Sequence, residues 1–179
     1  AVCADWKRLP LADGSRDIAV GDGCFSALDF PASYGDLIAS LSRVLRPDGL
    51  FAIRFFLRPD RAEPVEAVFA LLEAGGIGNF HVFKWRLAQA LHTDLASGVE
   101  LDAIWRTWRA FVPAPGALAE KLGWPREVIA TIDAYRGSAV RYTFPTLDEA
   151  RASLAAAFIE TGCYFPDYEL GERCPILAL

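Results

Sequence analysis

The residues best suited to hold a ligand stand at the end of a short apolar stretch. Asp17-Ile18-Ala19-Val20 predicts a strand, and Gly21-Asp22-Gly23 follows it directly. Glycines at the end of a strand let the backbone approach a ligand closely, and the acid between them supplies a hydrogen-bond acceptor. Chain reversal is the competing explanation, because glycine is also a common turn residue. This segment is the first candidate for a ligand-facing turn.

Side chains that could transfer a proton or hold a metal are few. The candidates for a general base are His81, His92, Asp22 and Asp29, and none has the spacing of a catalytic triad or dyad. His81 lies in an aromatic-rich stretch, where packing at a helix end is the competing explanation. His92 lies within a predicted helix and should face solvent. The cysteines lie far apart, without a C-x-x-C pair, at Cys3, Cys24, Cys163 and Cys174. We therefore assign no catalytic residue and predict no metal site.

A helix followed by a strand forms the centre of the predicted sheet. Apolar residues repeat at helical spacing from Tyr34 to Leu45, so one face of this helix should be buried. Arg46-Pro47-Asp48-Gly49 predicts a sharp stop, because proline lacks the N–H that a continuing helix would use. The strand Leu50–Phe56 is apolar except for Arg54, which predicts burial on both faces in a parallel sheet. The fold class is therefore α/β.

The middle of the chain has a different periodicity. Residues 61–141 show helical spacing throughout, which predicts a large all-helical insertion, whereas residues 1–60 and 142–179 form the α/β part. Capping boxes are predicted at Ser97/Glu100 and Thr146/Glu149. Two strands separated by Gly171-Glu172-Arg173 predict a terminal antiparallel hairpin, and Ala1–Asp5 resembles the end of a strand.

Composition limits the classes of partner. The formal net charge is -5 and no long cluster of lysine and arginine occurs, so we expect no nucleic acid partner. No apolar run approaches the roughly 20 residues that span a bilayer, so we expect no membrane partner. Reduced cysteines and the lack of a signal peptide predict a cytoplasmic protein.

The order of these elements resembles the second half of a class I S-adenosylmethionine-dependent methyltransferase. The resemblance lies in Ala4-Asp5-Trp6, in the Leu9–Val20 stretch with its Asp13-Gly14-Ser15 turn, and in the Ser42–Gly49 stretch. It covers the chain to about Asp60 and again from about Tyr142. It implies a partial Rossmann-like methyltransferase sheet with a reversed last strand in the terminal hairpin. The implied cofactor is S-adenosylmethionine, and the implied enzyme is a methyltransferase.

The resemblance also implies roles for individual residues. Asp5 would accept a hydrogen bond from the adenine amino group and Trp6 would lie beside the adenine ring. Gly21, Asp22, Gly23 and Cys24 would form the wall near the methionine half, with Phe25 on the acceptor side. The helical insertion would be a lid that recognises a small-molecule acceptor, for which we name His81, Trp85 and Tyr135.

One part of the family pattern is missing. The glycine-rich loop after the family's first strand and the acid after its second strand do not occur, and Ser26 stands where a dinucleotide fingerprint has its third glycine. We therefore expect a C-terminal fragment that binds cofactor weakly or not at all by itself. The alternative is a non-catalytic interaction module on a truncated methyltransferase scaffold. Its open sheet edge would allow a homodimer.

Overall fold

The structure is a computed structural model that describes residues 3–179. Its contacts divide the chain into two units, of which the first contains the described residues up to Leu57 together with Thr143–Leu179 and the second contains Arg58–Tyr142. The strands are β1 (Arg16–Asp22), β2 (Leu45–Arg54), β3 (Val99–Glu100), β4 (Arg141–Tyr142), β5 (Gly162–Tyr164) and β6 (Ile176–Ala178). The α-helices are α1 (Ala32–Val44), α2 (Val65–Glu73), α3 (Phe80–Leu91), α4 (Leu101–Phe111), α5 (Pro115–Leu122), α6 (Arg126–Ala130) and α7 (Leu147–Leu154).

The first unit contains a four-stranded sheet in the order β1-β2-β6-β5. β1 and β2 are parallel, whereas β6 runs antiparallel to both β2 and β5. The prediction of an α/β fold is confirmed. Of the predicted strand end at Ala1–Asp5, the first two residues lie outside the described part of the chain, and Cys3–Asp5 have no regular structure.

Helix α1 buries the apolar stripe that its sequence predicts. Its buried side chains include Tyr34, Leu37, Ile38, Leu41 and Val44. The chain becomes extended at Leu45, with ψ of 146°. The expected turn at residues 46–49 is instead a bulge within the strand pairing, which lies between the pairs Arg16↔Leu45 and Ile18↔Leu50.

Glycine is required inside this bulge. A Cβ on Gly49 would lie 3.0 Å from the carbonyl oxygen of Arg46 and 3.2 Å from that of Asp17. Arg46 also forms an ion pair with Asp17 across the two strands. The helix therefore ends where the sequence predicts a stop, and residues 46–49 form an irregularity within the sheet instead of a separate loop.

Burial differs between the two parallel strands. In β2, Phe51 and Ile53 are 1% and 0% exposed, but Leu50 on the other face is 40% exposed. In β1, Ile18 and Val20 are 60% and 79% exposed. Among the strands that the structure describes, β1 has one neighbour and is an edge strand. The prediction that the Leu50–Phe56 strand is buried on both faces is therefore wrong, because Leu50 and its partner Ile18 in the neighbouring strand are both exposed.

Aromatic side chains form the core of the second unit. The ring of Trp108 on α4 lies 5.2 Å from that of Phe80 and 5.3 Å from that of Phe83, both on α3. Phe83 also contacts Phe69 on α2, with ring centroids 5.4 Å apart. All four side chains are buried, so α2, α3 and α4 pack around a common centre.

The second unit is not all-helical, which corrects the prediction for residues 61–141. Val99 and Glu100 pair antiparallel with Tyr142 and Arg141. Glu100 forms an ion pair with Arg141 at 2.5 Å, so its carboxylate does not complete the capping box expected with Ser97. Strand pairing between segments about 40 residues apart replaces the local helix cap.

The chain after Thr143 returns to the first unit. The capping box at α7 is confirmed: the Thr146 backbone N–H donates to Glu149 Oε2 at 2.7 Å, and the Glu149 N–H donates to Thr146 Oγ1 at 3.2 Å. The antiparallel pair β5 and β6 is shorter than the sequence suggests, and residues Gly171–Arg173 form a 3₁₀ turn. No helix in residues 3–179 is long and apolar enough to cross a membrane.

Candidate functional site

A cavity of about 360 Å³ lies in the first unit beside the carboxyl half of β1. Strands β1 and β2, helix α1 and the loop before β1 all contribute to its wall. Its lining residues are Trp6, Leu9, Ala19, Val20, Gly21, Asp22, Cys24, Leu37, Leu41 and Phe51. Among them are four of the predicted cofactor residues: Trp6, Gly21, Asp22 and Cys24.

Trp6 is placed by a loop that is attached to α1. It begins a 3₁₀ turn, Trp6–Arg8, which Asp5 caps by accepting a hydrogen bond from the Lys7 N–H at 3.0 Å. Trp6 is 50% exposed, so about half of its surface is accessible to solvent. Asp5 itself does not line the cavity, since one of its carboxylate oxygens serves the local cap.

Arg43 on α1 holds the same loop, and the sequence reasoning missed this residue. Its guanidinium donates to the carbonyl oxygens of Leu9 and Leu11 at 2.6 Å and to Asp13 Oδ1 at 2.7 Å. These bonds join segments about 30 residues apart. A basic residue in the last turn of a helix reads from sequence as a surface charge, so only the folded chain shows its partners.

The two glycines of the ligand-facing turn lie close to side chains of the neighbouring strand and its continuation. A Cβ on Gly21 would lie 2.6 Å from Ile53 Cδ1, and one on Gly23 would lie 2.2 Å from the ring of Phe56. Gly23 also has φ of +63°, a conformation that favours glycine. Gly21 lines the cavity, whereas Gly23 does not. Their lack of side chains is thus explained by packing and backbone conformation.

Asp22 is held by an arginine on the neighbouring strand. Arg54 Nε and Nη2 donate to its two carboxylate oxygens at 2.6 and 2.8 Å, and Arg54 Nη1 donates to Tyr168 Oη at 2.9 Å. The guanidinium also lies 5.4 Å from the centroid of the Phe56 ring. The hydrogen bonds that Arg54 donates to the Asp22 carboxylate raise the pKa of Arg54. The Asp22 carboxylate is therefore neutralised by a bidentate ion pair at the carboxyl ends of β1 and β2.

The sequence contained a signal for one of these partners. Arg54 is the charged residue in an otherwise apolar strand, and in register it lies opposite Asp22. Tyr168 gave no such signal, because it reaches the site from a loop 114 residues away. Cys24, the last of the predicted wall residues, is half-buried, and burial raises the pKa of its thiol.

Phe25 belongs to the core, which corrects its prediction as an acceptor-side residue. It is 1% exposed, stacks on Phe55 with ring centroids 4.9 Å apart, and meets Tyr34 edge-on at 4.8 Å. The 3₁₀ turn after Gly23 directs its side chain inward. A residue enclosed by its own unit has no surface left for a substrate.

The other predicted acceptor residues belong to the second unit. His81 is exposed on the first turn of α3, and partial burial and the Lys84 ammonium lower its pKa. Trp85 and Tyr142 pack at 5.4 Å, and Tyr135 Oη lies 3.4 Å from Tyr142 Oη. Burial raises the pKa of Tyr135. Trp85 and Tyr135 thus contact the same tyrosine.

The second histidine and the possible metal ligands complete the predicted site residues. We expected His92 to face solvent, but it is buried at the C-terminal cap of α3. Within the described part of the chain, no three His, Cys, Asp or Glu side chains are close enough together to hold a metal ion.

The fold is shared with solved structures, although the sequence matches no protein-family model and no curated protein. A Methanosarcina mazei protein named as a SAM-dependent methyltransferase superposes with a TM-score of 0.50 at 12% identity, over 98% of this chain and 63% of its own. The PH0226 protein of Pyrococcus horikoshii OT3 gives 0.50 at 11% identity, over 99% and 57%. A Rhodobacter sphaeroides protein described as a Zn-dependent alcohol dehydrogenase gives 0.53 at 12% identity, over 98% and 63%.

These likenesses define the class of fold. The chain has the fold of a class I S-adenosylmethionine-dependent methyltransferase, as its sequence resemblance predicts. It spans about three fifths of the length of the structures that it matches. At sequence identities of 11–12%, these matches show a shared fold and not a shared activity. One of the matched proteins is named as a methyltransferase and another as an alcohol dehydrogenase.

Proposed function

We propose that this chain is the C-terminal part of an S-adenosylmethionine-dependent methyltransferase that acts on a small-molecule acceptor. The observation that carries the proposal is the cavity beside β1, which brings Trp6, Gly21, Asp22 and Cys24 together on a sheet of methyltransferase fold. In open α/β sheets, ligands bind beyond the carboxyl ends of the parallel strands, and Asp22 is the last residue of β1.

The residues of the cavity fit an adenosyl ligand. The half-exposed indole of Trp6 offers a ring face on which a purine can stack. The apolar side chains of Leu37, Leu41 and Phe51 also line the cavity. Asp5 is next to Trp6 but outside the cavity lining, and its Oδ1 caps the turn, so its contact with an adenine amino group stays a prediction.

The Asp22–Arg54 pair has a positioning role in this proposal. S-adenosylmethionine supplies an electrophilic methyl group, and methyl transfer chiefly requires orientation and exclusion of water. A bidentate ion pair fixes the end of β1 and leaves little net charge beside the reacting groups. Asp22 is accordingly a structural acid and not the general base. We assign acceptor recognition to the second unit, with Trp85, Tyr135 and His81 as candidate contacts.

Ligand-observed NMR with S-adenosylhomocysteine tests the cofactor assignment. We expect weak binding, at millimolar concentration or above, because this chain lacks the glycine-rich loop of the resembled family. Trp6→Ala should weaken the binding about tenfold through the lost stacking. Phe165→Ala is the matched control: Phe165 is similarly exposed, at 47%, but does not line the cavity.

The gene supplies the second arm of this test. A reading frame that continues upstream and encodes a glycine-rich strand-turn-helix would support the proposal, and its full product should bind S-adenosylmethionine tightly. A gene that begins near the codon for Ala1, together with no calorimetric heat at millimolar S-adenosylmethionine, would overturn the enzyme assignment.

A second candidate is the non-catalytic interaction module, which the exposed edge strand favours. Ile18 and Val20 on β1 present apolar surface next to unpaired backbone groups, a common template for strand addition. If this edge pairs two copies of the chain, light scattering will give a dimer mass, and Val20→Lys will return the monomer. A monomer at all concentrations would contradict this candidate.

A further inference from the structure

Thr143 donates hydrogen bonds to three carbonyls of the turn at residues 24–28, which follows β1. Its Oγ1 donates to the carbonyl oxygens of Leu28 at 3.0 Å and of Phe25 at 3.2 Å. Its backbone N–H donates to a third carbonyl oxygen of the same turn, at 3.0 Å. Thr143 is 3% exposed. We propose that Thr143 is a positioning residue that fixes this turn and, through it, the Cys24 thiol in the wall of the cavity beside β1.

The hydrogen bonds around the Thr143 hydroxyl have one direction. A carbonyl oxygen only accepts, so the single hydroxyl proton of Thr143 is shared between the carbonyls of Phe25 and Leu28. The Tyr34 hydroxyl lies 3.0 Å from Thr143 Oγ1, and Tyr34 is therefore the donor of that bond. Burial raises the pKa of Tyr34, which is 1% exposed, so the phenol keeps the proton that it donates. Because Tyr34 donates, the Thr143 proton stays available for the turn.

Solvent cannot readily replace Thr143 in these bonds, because the turn is buried. Phe25, Ser26 and Leu28 are 1%, 6% and 8% exposed, and the Ser26 carbonyl is the one that accepts from the Thr143 N–H. A buried carbonyl that loses its donor keeps its desolvation cost and regains no bond to water. Thr143 stands 115 residues after Leu28, so the sequence around the turn gives no indication of this support.

The first residue of the turn lines the cavity of the proposed cofactor site. Cys24 does so together with Gly21 and Asp22, the last two residues of β1. Cys24 is half-buried, so a change in the turn changes the fraction of its thiol that a reagent can reach. The effect of Thr143 on ligand binding rests on the methyltransferase proposal, whereas its effect on the turn and on the Cys24 thiol does not.

Thr143→Val tests this role in the complete 179-residue chain, because valine has a similar shape but no hydroxyl. The Leu28 N–H, which donates to the Phe25 carbonyl at 3.1 Å within the turn, should exchange with solvent about tenfold faster in NMR spectra. Alkylation of Cys24 by iodoacetamide, read by peptide mass spectrometry, should accelerate, and S-adenosylhomocysteine should bind more weakly. The amides of β2 are the internal reference, since a loss of global stability alone would accelerate their exchange equally. Thr143→Ser keeps the hydroxyl and should restore the original ratio of exchange rates.

Tyr34→Phe is the matched control. It removes a hydroxyl that is also buried and belongs to the same network, but the Thr143 proton still goes to the turn. Exchange of the Leu28 amide and alkylation of Cys24 should therefore stay within about twofold of the original chain. Equal acceleration in Tyr34→Phe and Thr143→Val would overturn the proposal. So would a lack of response to Thr143→Val, or a lack of rescue by Thr143→Ser.

Ligand binding separates this inference from the methyltransferase proposal. If S-adenosylhomocysteine binds the original chain and the Thr143→Val variant with equal affinity, Thr143 does not position the ligand-binding site and the inference is overturned. If S-adenosylhomocysteine binds neither chain, the methyltransferase proposal fails. The response of the Leu28 amide and the Cys24 thiol then decides by itself whether Thr143 fixes the turn.

Discussion

β1 and β2 are adjacent parallel strands with similar apolar sequences and opposite environments. Ile18 on β1 is largely exposed, whereas Ile53 on β2 is fully buried. β2 has strands on both sides and α1 packed near its start, whereas β1 has one strand neighbour. The same residue type therefore contributes to the core in one strand and forms surface in the next. An apolar run in the sequence identifies a strand but does not identify which neighbours cover it.

The largest expected effect compares these two isoleucines. Ile53→Ala should lower the free energy of unfolding by about 2–5 kcal/mol, because it leaves a cavity in the core. Ile18→Ala, at a largely exposed position, should change it by less than about 1 kcal/mol. Urea denaturation of both variants gives the two values. A similar loss in the two variants would show that a partner covers β1 in solution.

The second comparison concerns two glycines with positive φ in the first unit. Gly23→Ala should cost about 2–4 kcal/mol of stability, since its Cβ would meet the Phe56 ring and its φ is +63°. Gly14 has a similar φ of +56°, but nothing lies within 4 Å of the site of its Cβ, so Gly14→Ala should cost about 1 kcal/mol. Thermal unfolding measures the difference. Equal losses would assign the whole effect to backbone conformation.

The third comparison concerns the two capping-box sequences. Thr146→Ala removes a bond that exists and should destabilise the chain by about 1 kcal/mol. Ser97→Ala should cost less than about 0.5 kcal/mol, because Ser97 is exposed and caps no helix. The shift of the urea midpoint gives the stability loss of each variant, provided that the dependence of the unfolding free energy on urea concentration is the same as in the original chain. A full cap penalty at Ser97 would contradict the strand pairing at Glu100.

The smallest effect is the titration of His81. Partial burial and the Lys84 ammonium lower its pKa below the ordinary value of 6.5. The unfolded chain then binds more protons than the folded chain, so this group's contribution to stability decreases as pH falls through 6.5 towards the folded pKa. NMR titration of the imidazole should show the lowered pKa, and Lys84→Met should raise it. Lys121→Met, the control, should leave it unchanged, and a lack of response to Lys84→Met would remove the charge explanation.

Features fixed by near neighbours could be predicted from the sequence. The buried stripe of α1 follows from helical spacing, and the Thr146/Glu149 cap needs only residues three apart. The class of fold followed from the order of the elements and the resemblance. The Ser97/Glu100 box failed because Glu100 pairs with Arg141, a residue that no local pattern connects to it.

The candidate site was predicted less completely, for a similar reason. Trp6, Gly21, Asp22 and Cys24 were named from the sequence and line one cavity. The purpose of the glycines was not apparent, because Ile53 and Phe56 come from another strand and its continuation. The family resemblance placed Phe25 on the acceptor side, yet Phe25 packs inward against Phe55.

The sequence alone determined where the longer helices and the two parallel strands form, since hydrogen bonds, caps and periodic apolar faces act over a few residues. Only the tertiary structure decided which apolar strand is buried, which glycine would clash and which cation neutralises Asp22. Those properties depend on side chains that the fold brings together from distant parts of the chain, and their free energies come from burial and close contact.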